Sequence, residues 1–305
     1  MATSLRIEDW HWEITRNCNQ HCAHCIIGDL DAGEINTDKA AHAITLMKLL
    51  GGKRLHITGG EPFLRKDLRL LTSQAKSLGL SVEIITNGIL QREIVSFAKN
   101  GLLNRLGISI DGDEITHDSI RGVGSYKKTI STLKSIVRTG LPITVYITIT
   151  SINFGCIEKI ISDLILLGVN SFHLNEVNQF GRAFTNNFLS VNNLSEYEKF
   201  KKIFSQLDSL IEIKDPTIDR ACSVSPMTAY VDYNGNVYSC AELAITNSEN
   251  AIANLFSGSF SQDFRRYHSD IKIPKECRYS VYGLPGINIC LNSSELCPLR
   301  AGGLT

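Results

Sequence analysis

The chain has 305 residues, 43% of them hydrophobic, and its 31 basic residues balance 31 acidic ones to a formal net charge of zero. That length and apolar content suffice for one large domain and a small one, and the balance offers no electrostatic attraction to nucleic acid or to a membrane surface. No basic start leads into an apolar N-terminal segment and no uninterrupted apolar run approaches a membrane span, so the reading is a soluble, cytoplasmic protein.

Strand-like and helix-like stretches alternate through the first two thirds. Short β-rich runs are predicted at Trp10–Thr15, Arg54–Thr58, Ser81–Thr86, Arg105–Ile110, Pro142–Thr148 and Ser171–Leu174. Between them lie helical periodicities closed by glycine. Leu68, Leu71, Ala75 and Leu78 end at Gly79; Ile130, Leu133 and Val137 end at Gly140; Ile157, Ile160, Ile161 and Leu164 end at Gly168. Repeated strand–helix units imply right-handed crossovers and a parallel sheet. Six units are too few for an eight-fold barrel, so the expected fold is α/β, a partial (β/α)6 TIM-like barrel over residues 1–213. A last long helix is predicted from Ser195, whose side chain and Glu198 form a capping box, to about Leu210. Beyond a boundary near Lys214, residues 214–305 read as a small cysteine-rich domain. It contains a β-hairpin, because Asn234-Gly235 sits between Ala229–Asp232 and Val237–Ser239.

The nine cysteines, in a chain read as lacking a signal peptide, are better taken as reduced metal ligands than as disulfides. Cys18, Cys22 and Cys25 stand in a CxxxCxxC spacing directly after the first strand. Thiolates at that spacing can converge on one face of an iron–sulfur cluster, leaving one iron of a four-iron cube without a protein ligand. A structural zinc site is the alternative, but zinc wants a closed set of four ligands and usually paired CxxC knuckles. After the second strand comes Gly59-Gly60-Glu61-Pro62: glycines that let backbone approach closely, a carboxylate suited to an ammonium group, and a proline that can start a helix. The third strand ends in Thr86-Asn87-Gly88. The fourth ends in Ser109-Ile110-Asp111-Gly112, followed by Arg121-Gly122. Arg121 suits a carboxylate ligand through a charge-assisted pair, or else a surface ion pair with Asp111 or Asp118. Strand ends of a parallel barrel share one mouth, where active sites collect.

The loop from Asn17 to Cys25 together with Gly59–Pro62 resembles the radical S-adenosylmethionine (radical SAM) superfamily. The resemblance implies that SAM chelates the open iron, that one electron from the cluster breaks a carbon–sulfur bond, and that a 5′-deoxyadenosyl radical results. It implies that Gly59, Gly60 and Glu61 bind the methionine amino group and that Asn87 lies beside SAM. Ser109 and Arg121 resemble SAM contacts of the branch with SPASM or Twitch C-terminal domains. That branch also implies an electron donor such as flavodoxin or ferredoxin.

Cys222 and Cys240 flank the hairpin, and Cys277, Cys290 and Cys297 follow. This resembles the opening of a SPASM domain, but Arg278-Tyr279-Ser280 replaces the start of the Cys-x2-Cys run. Five cysteines close one four-ligand cluster and not two, so one auxiliary 4Fe–4S cluster is expected, with zinc as the alternative. Cys156 reads as a buried packing residue. His11, Glu13, His56, Tyr146, His173, Asn175 and Glu176 punctuate the strands with polar groups. Of these, Asn175 and Glu176, with Gly181-Arg182-Ala183 behind them, are the weak candidates for substrate contact. Glu242 joins them, because Ala241 stands where sulfatase-maturing relatives place an aspartate base; that argues against sulfatase maturation. The expected reaction is hydrogen abstraction from a ribosomally made peptide (crosslink, epimerisation or oxidation), with radical dehydrogenation or rearrangement of a small molecule such as a sugar or aminocyclitol as the alternative. With the cluster loop starting at Cys18, a separate leader-peptide-binding protein, or a very short substrate, is expected for the peptide reading. A non-catalytic iron–sulfur protein needs neither Gly59–Pro62 nor Arg121.

Overall fold

The six β-rich runs become strands because their apolar residues alternate, so one set can pack on helices while the other faces inward. A computed structural model of the chain describes residues 7–28, 33–177, 180–186, 212–214, 228–238, 244 and 251–263, with residues 176 and 212–214 described by backbone alone. Strands β1 (Asp9–Thr15), β2 (Arg54–Gly59), β3 (Ser81–Thr86), β4 (Arg105–Ser109), β5 (Ile143–Ile149) and β6 (Ser171–Glu176) pair in parallel, each beside the next in sequence. Helices α1 (Thr37–Leu49), α2 (Leu68–Ser77), α3 (Gln91–Lys99), α4 (Glu114–Arg121), α5 (Ser125–Val137) and α6 (Ile157–Leu166) fill the crossovers. This is the open, partial barrel expected.

Gly79, Gly140 and Gly168 close α2, α5 and α6 at φ of 76°, 75° and 97°, the left-handed conformation that releases a helix end cheaply. α1 is capped by Asn36, whose Oδ1 accepts from Lys39 N at 2.9 Å. That signal was present in the sequence, yet α1, α3 and α4 are elements the periodicity reading had not resolved.

The sheet continues past the six units. β7 (Glu212–Lys214) pairs in parallel with β6. At the other edge β8 (Thr228–Val231) pairs in parallel with β1, His11 opposite Tyr230. The expected hairpin links β8 to β9 (Asn236–Tyr238), and β10 (Ala253–Asn254) completes the edge. The hairpin therefore extends the barrel sheet. Cys156 differs from expectation. It is half-exposed, in a 3-10 turn (Phe154–Cys156) ahead of α6, and its Sγ is 3.2 Å from the Asn153 carbonyl; the helix period starts one residue too late to bury it. The expected helix from Ser195 and the cysteines Cys222, Cys240, Cys277, Cys290 and Cys297 lie outside the described residues. No helix among the described residues is long and apolar enough to cross a membrane.

The core sits between the convex face of the sheet and the helices. Trp10, Trp12, Ile14, Leu55, Ile57, Val82, Ile84, Leu106, Ile108, Val145, Ile147, Phe172 and Leu174 all belong to it. Their alternates line the hollow: His11, Glu13, His56, Thr58, Glu83, Ser109, Tyr146, Thr148, His173 and Asn175. Among the described residues of β1 to β6, Ile85 and Gly107 interrupt this polar face. A closed eight-strand barrel fills its interior with branched apolar side chains; this one keeps its hollow polar.

Candidate active site

The cysteine loop leaves β1 and is gripped from two sides. On one side Ala23 N donates to the Ile120 carbonyl at 2.8 Å, and Gln20 Nε2 to the Arg121 carbonyl at 3.2 Å. On the other, Arg182 and Asn186 donate to carbonyls of residues 22 to 28. Cys18 is exposed, Cys22 buried and Cys25 half-buried. Burial pushes the Cys22 thiol up to about 11 against the pull of the Arg121 guanidinium, with Cys25, Asp111 and Cys18 adding to the rise. Three thiols gathered on one loop, Cys22 among them buried, form a donor set whose thiolates a bound cation stabilises. Among the described residues, no three or more Cys, His, Asp or Glu close around a single metal ion; a cube instead spreads its cysteines over separate irons. The donor set fits a 4Fe–4S cluster.

The Gly59-Gly60 pair answers to the same loop. A Cβ on Gly59 would lie 2.2 Å from the Thr15 carbonyl oxygen, and one on Gly60 2.2 Å from that of Asn17. Gly60 N and Glu61 N each donate 2.8 Å bonds to those carbonyls. The glycines thus let β2's exit lie flat against the start of the cysteine loop. Pro62 starts a short 3-10 turn, Pro62–Leu64, as expected, and Glu61 caps it. The Glu61 carboxylate is wholly buried and accepts from Phe63 N at 3.1 Å, Thr86 Oγ1 at 2.8 Å and Asn87 N at 2.9 Å. Burial raises its pKa to about 7 against these three donors. The side chain expected to meet an ammonium group ties the ends of β2 and β3 together in the structure. Asn87 carries the tie onward, its Nδ2 donating to Asn19 Oδ1 at 2.7 Å.

At the end of β4, Asp111 is a hub. Its Oδ2 accepts from Arg121 Nε and lies 3.1 Å from His24 Nε2, while Oδ1 accepts from Thr148 N at 2.8 Å. Asn153 Nδ2 donates to the Asp111 carbonyl at 2.8 Å. Although burial alone would raise it, the Arg121 and His24 charges hold the Asp111 carboxyl far below the usual range. The ion pair with Asp111, the alternative reading of Arg121, forms but is buried rather than on the surface, and it brings β4, α4, β5 and the cysteine loop to one point. Asp118 turns the other way, accepting from Gly124 N and Tyr126 N at the start of α5. Ser109, the last residue of β4, is half-buried at the mouth, paired with Tyr146 of β5.

In the hollow, side chains from five strands connect. The His11 and His56 rings stack with centroids 4.5 Å apart and planes 8° from parallel. His56 Nδ1 is 2.9 Å from Glu83 Oε2, and the Tyr146 hydroxyl donates to Glu83 Oε1 at 3.3 Å. Tyr146 crosses β4 to do so; a Cβ on Gly107 would lie 2.6 Å from its ring. Tyr146 in turn meets the His173 ring at 4.8 Å, and His173 Nε2 is 2.9 Å from Asn175 Oδ1. Burial first, then the neighbouring His56, lowers the His11 pKa to about 4, so the imidazole is neutral. Sequence reasoning singled out most of these residues one by one but missed Glu83, which joins them. The side chain of Glu176, and all of Glu242, lie outside the described residues.

The family model described as the Radical SAM superfamily matches residues 12–164. The chain is similar to an AdoMet-dependent heme synthase of Methanosarcina barkeri (strain Fusaro / DSM 804), 30% identical over 211 residues that cover 67% of this chain and 60% of that protein. It is also similar to a probable GTP 3′,8-cyclase of Sulfurisphaera tokodaii, 30% identical over 220 residues covering 68% of this chain and 67% of that one. Among solved structures it resembles Streptococcus suis SuiB bound to S-adenosylmethionine, with a TM-score of 0.67 at 15% identity, covering 86% of this chain and 68% of that one. The chain thus spans less than two thirds of the heme synthase's length.

Proposed function

The chain belongs to the radical SAM superfamily and is an enzyme of that class, and from this premise we propose that it abstracts hydrogen from a polar substrate, a residue of a ribosomally made peptide. The cluster and SAM, when bound, supply the 5′-deoxyadenosyl radical. The chain's own residues do the rest. Cys18, Cys22 and Cys25 hold the cluster; the backbone at Gly59 and Gly60, with Asn87, Ser109 and Arg121, lines the mouth where SAM would lie. Asp111 and His24 hold Arg121 in place beside it.

The observation that carries the substrate class is the polar hollow. A peptide brings amide donors and acceptors, which the His11, His56, Glu83, Tyr146, His173 and Asn175 band can meet. Displacing water from the remaining hydrogen-bonding capacity of these polar groups without replacing its bonds costs free energy, which works against filling the hollow with an apolar molecule. The similarity to a GTP 3′,8-cyclase favours a second reading, a polar small molecule such as a sugar or nucleotide. The auxiliary 4Fe–4S cluster on four of Cys222, Cys240, Cys277, Cys290 and Cys297, the reducing partner and a leader-peptide-binding protein belong to the same proposal. Anaerobic turnover of the reduced enzyme with SAM, with and without a small peptide encoded beside its gene, tests it. A burst of 5′-deoxyadenosine with a change in the peptide's mass supports the peptide. Slow 5′-deoxyadenosine that ignores the peptide moves the assignment to small molecules.

A further inference from the structure

The segment after β6 reads as a weak candidate for substrate contact, but a set of its contacts runs to the cysteine loop. The Arg182 backbone N donates to the Cys25 carbonyl at 2.9 Å. Its guanidinium spans two more carbonyls, Nε to Cys22 at 2.8 Å and Nη1 to Gly28 at 2.7 Å. Asn186 Nδ2 takes a fourth, that of Ala23, at 3.0 Å. Gly181, at φ 57°, has no room for a side chain: a Cβ would sit 2.4 Å from the Ile26 carbonyl oxygen and 2.5 Å from that of Cys25. Gly28 approaches from the cysteine-loop side, its own Cβ position 2.9 Å from Gly181 Cα. Ala183 is fully buried and packs with Val177 and Ala23.

From these contacts we propose that Arg182 is a positioning residue for the SAM-binding cluster. Its planar fork holds the carbonyl side of the cysteine loop in the shape that presents Cys22 and Cys25, and its charge eases reduction of the cluster beside it. The inference rests on family membership and on the cluster at Cys18, Cys22 and Cys25; it is independent of which substrate is used. Two physical reasons support it. Four loop carbonyls satisfied by one seven-residue segment make a cradle whose shape does not wait for the metal. A cation bonded to the carbonyl of a ligating cysteine favours the reduced cluster, which carries one more negative charge. Arginine alone among the cations presents a rigid fork that bridges two acceptors.

The test compares the parent with R182Q and R182K, each reconstituted anaerobically with iron and sulfide as the full chain. Two readouts follow: iron loss to a chelator, and the midpoint potential of the cluster whose electron paramagnetic resonance signal responds to SAM. R182Q is expected to lose iron about 10- to 100-fold faster, the usual cost of removing a partner of a metal ligand, and to show a more negative potential. R182K is expected to recover the potential, because the charge remains, but not the resistance to chelation, because one ammonium cannot bridge Cys22 and Gly28. Parent-like chelation and potential in R182Q overturn the proposal. So does a lowered melting temperature with an unchanged potential at full iron loading, which is the mark of a purely structural role. If R182Q does not fold, N186A removes only the Ala23 bond and is expected to speed iron loss to a smaller degree; N186A and R182K both matching the parent would likewise overturn it.

Discussion

Replacing Asp111 by alanine tests the hub at the barrel mouth most directly. The carboxylate is completely buried, and the Arg121 side chain it pairs with is only 10% exposed. Removing the anion strands a buried guanidinium and leaves Thr148 N and His24 Nε2 without their acceptor. Breaking a buried pair from one side costs about 3–5 kcal/mol. At roughly 2–4 °C per kcal/mol for a protein of this size class, the melting temperature of cluster-free D111A should fall by about 10 °C. The pairing also fixes the pH dependence. Because the folded carboxyl is held far below its unfolded value of 3.8, its contribution is fully present above about pH 4 and is lost as pH falls below that. The assay is thermal and urea unfolding of D111A, R121A and the double mutant. D111A/R121A should be less destabilised than D111A alone, since no cation is then left unpaired. A D111A variant within about 0.5 kcal/mol of the parent, the range of ordinary surface changes, would refute the buried-hub reasoning.

Two further outcomes follow from the geometry. Gly60→Ala places a Cβ on the Asn17 carbonyl and should displace the cysteine loop, reducing iron retention in reconstituted protein. Gly155→Ala, with nothing within 4 Å, should leave iron content unchanged, and equal iron in both variants refutes the close-approach argument. His11 and His117 are both lowered from 6.5 to about 4, by burial first and then by His56 and Arg121 respectively. Between those values the unfolded chain binds protons that the native state refuses, so this contribution to stability declines as pH falls from about 6.5 to about 4. His117 Nδ1 accepts from Asp111 N at 3.2 Å; H117N should flatten the urea-midpoint profile over that window, and a profile identical to the parent's would refute the assignment.

How far the fold was legible differs by element. The six parallel strands were readable as short β-rich runs, clearest where the period of two is strict, as Trp10, Trp12 and Ile14 alternate with His11 and Glu13 along β1. Helix ends were readable wherever a glycine closes them. α1, α3 and α4 were less visible, because short helices carry few turns of period. The pairing of β8 with β1 had no local signal at all, since a hairpin looks the same whether it stands alone or joins an edge. In the site, the cysteine loop and Gly59–Pro62 stood out by spacing. The partners of Glu61 did not, because Thr86 and Asn87 come from another strand and only register brings them together.

By itself the sequence determined the class of chemistry, because ligand spacing within one loop and a glycine pair one strand later are local facts that folding does not change. It also determined the alternation that makes an open parallel sheet. Only the tertiary structure decided what the long-range residues do. Arg121, expected as a SAM contact or else in a surface ion pair, forms half of a buried pair with Asp111, and Arg182 turned from a substrate candidate into a clasp on the cysteine loop, 154 residues away in sequence at Gly28. Glu83 became the centre of a polar band drawn from five strands. The physical reason is common to all three: hydrogen bonds and charges act over a few ångströms of space, and which groups share that space is set by strand register and crossover packing.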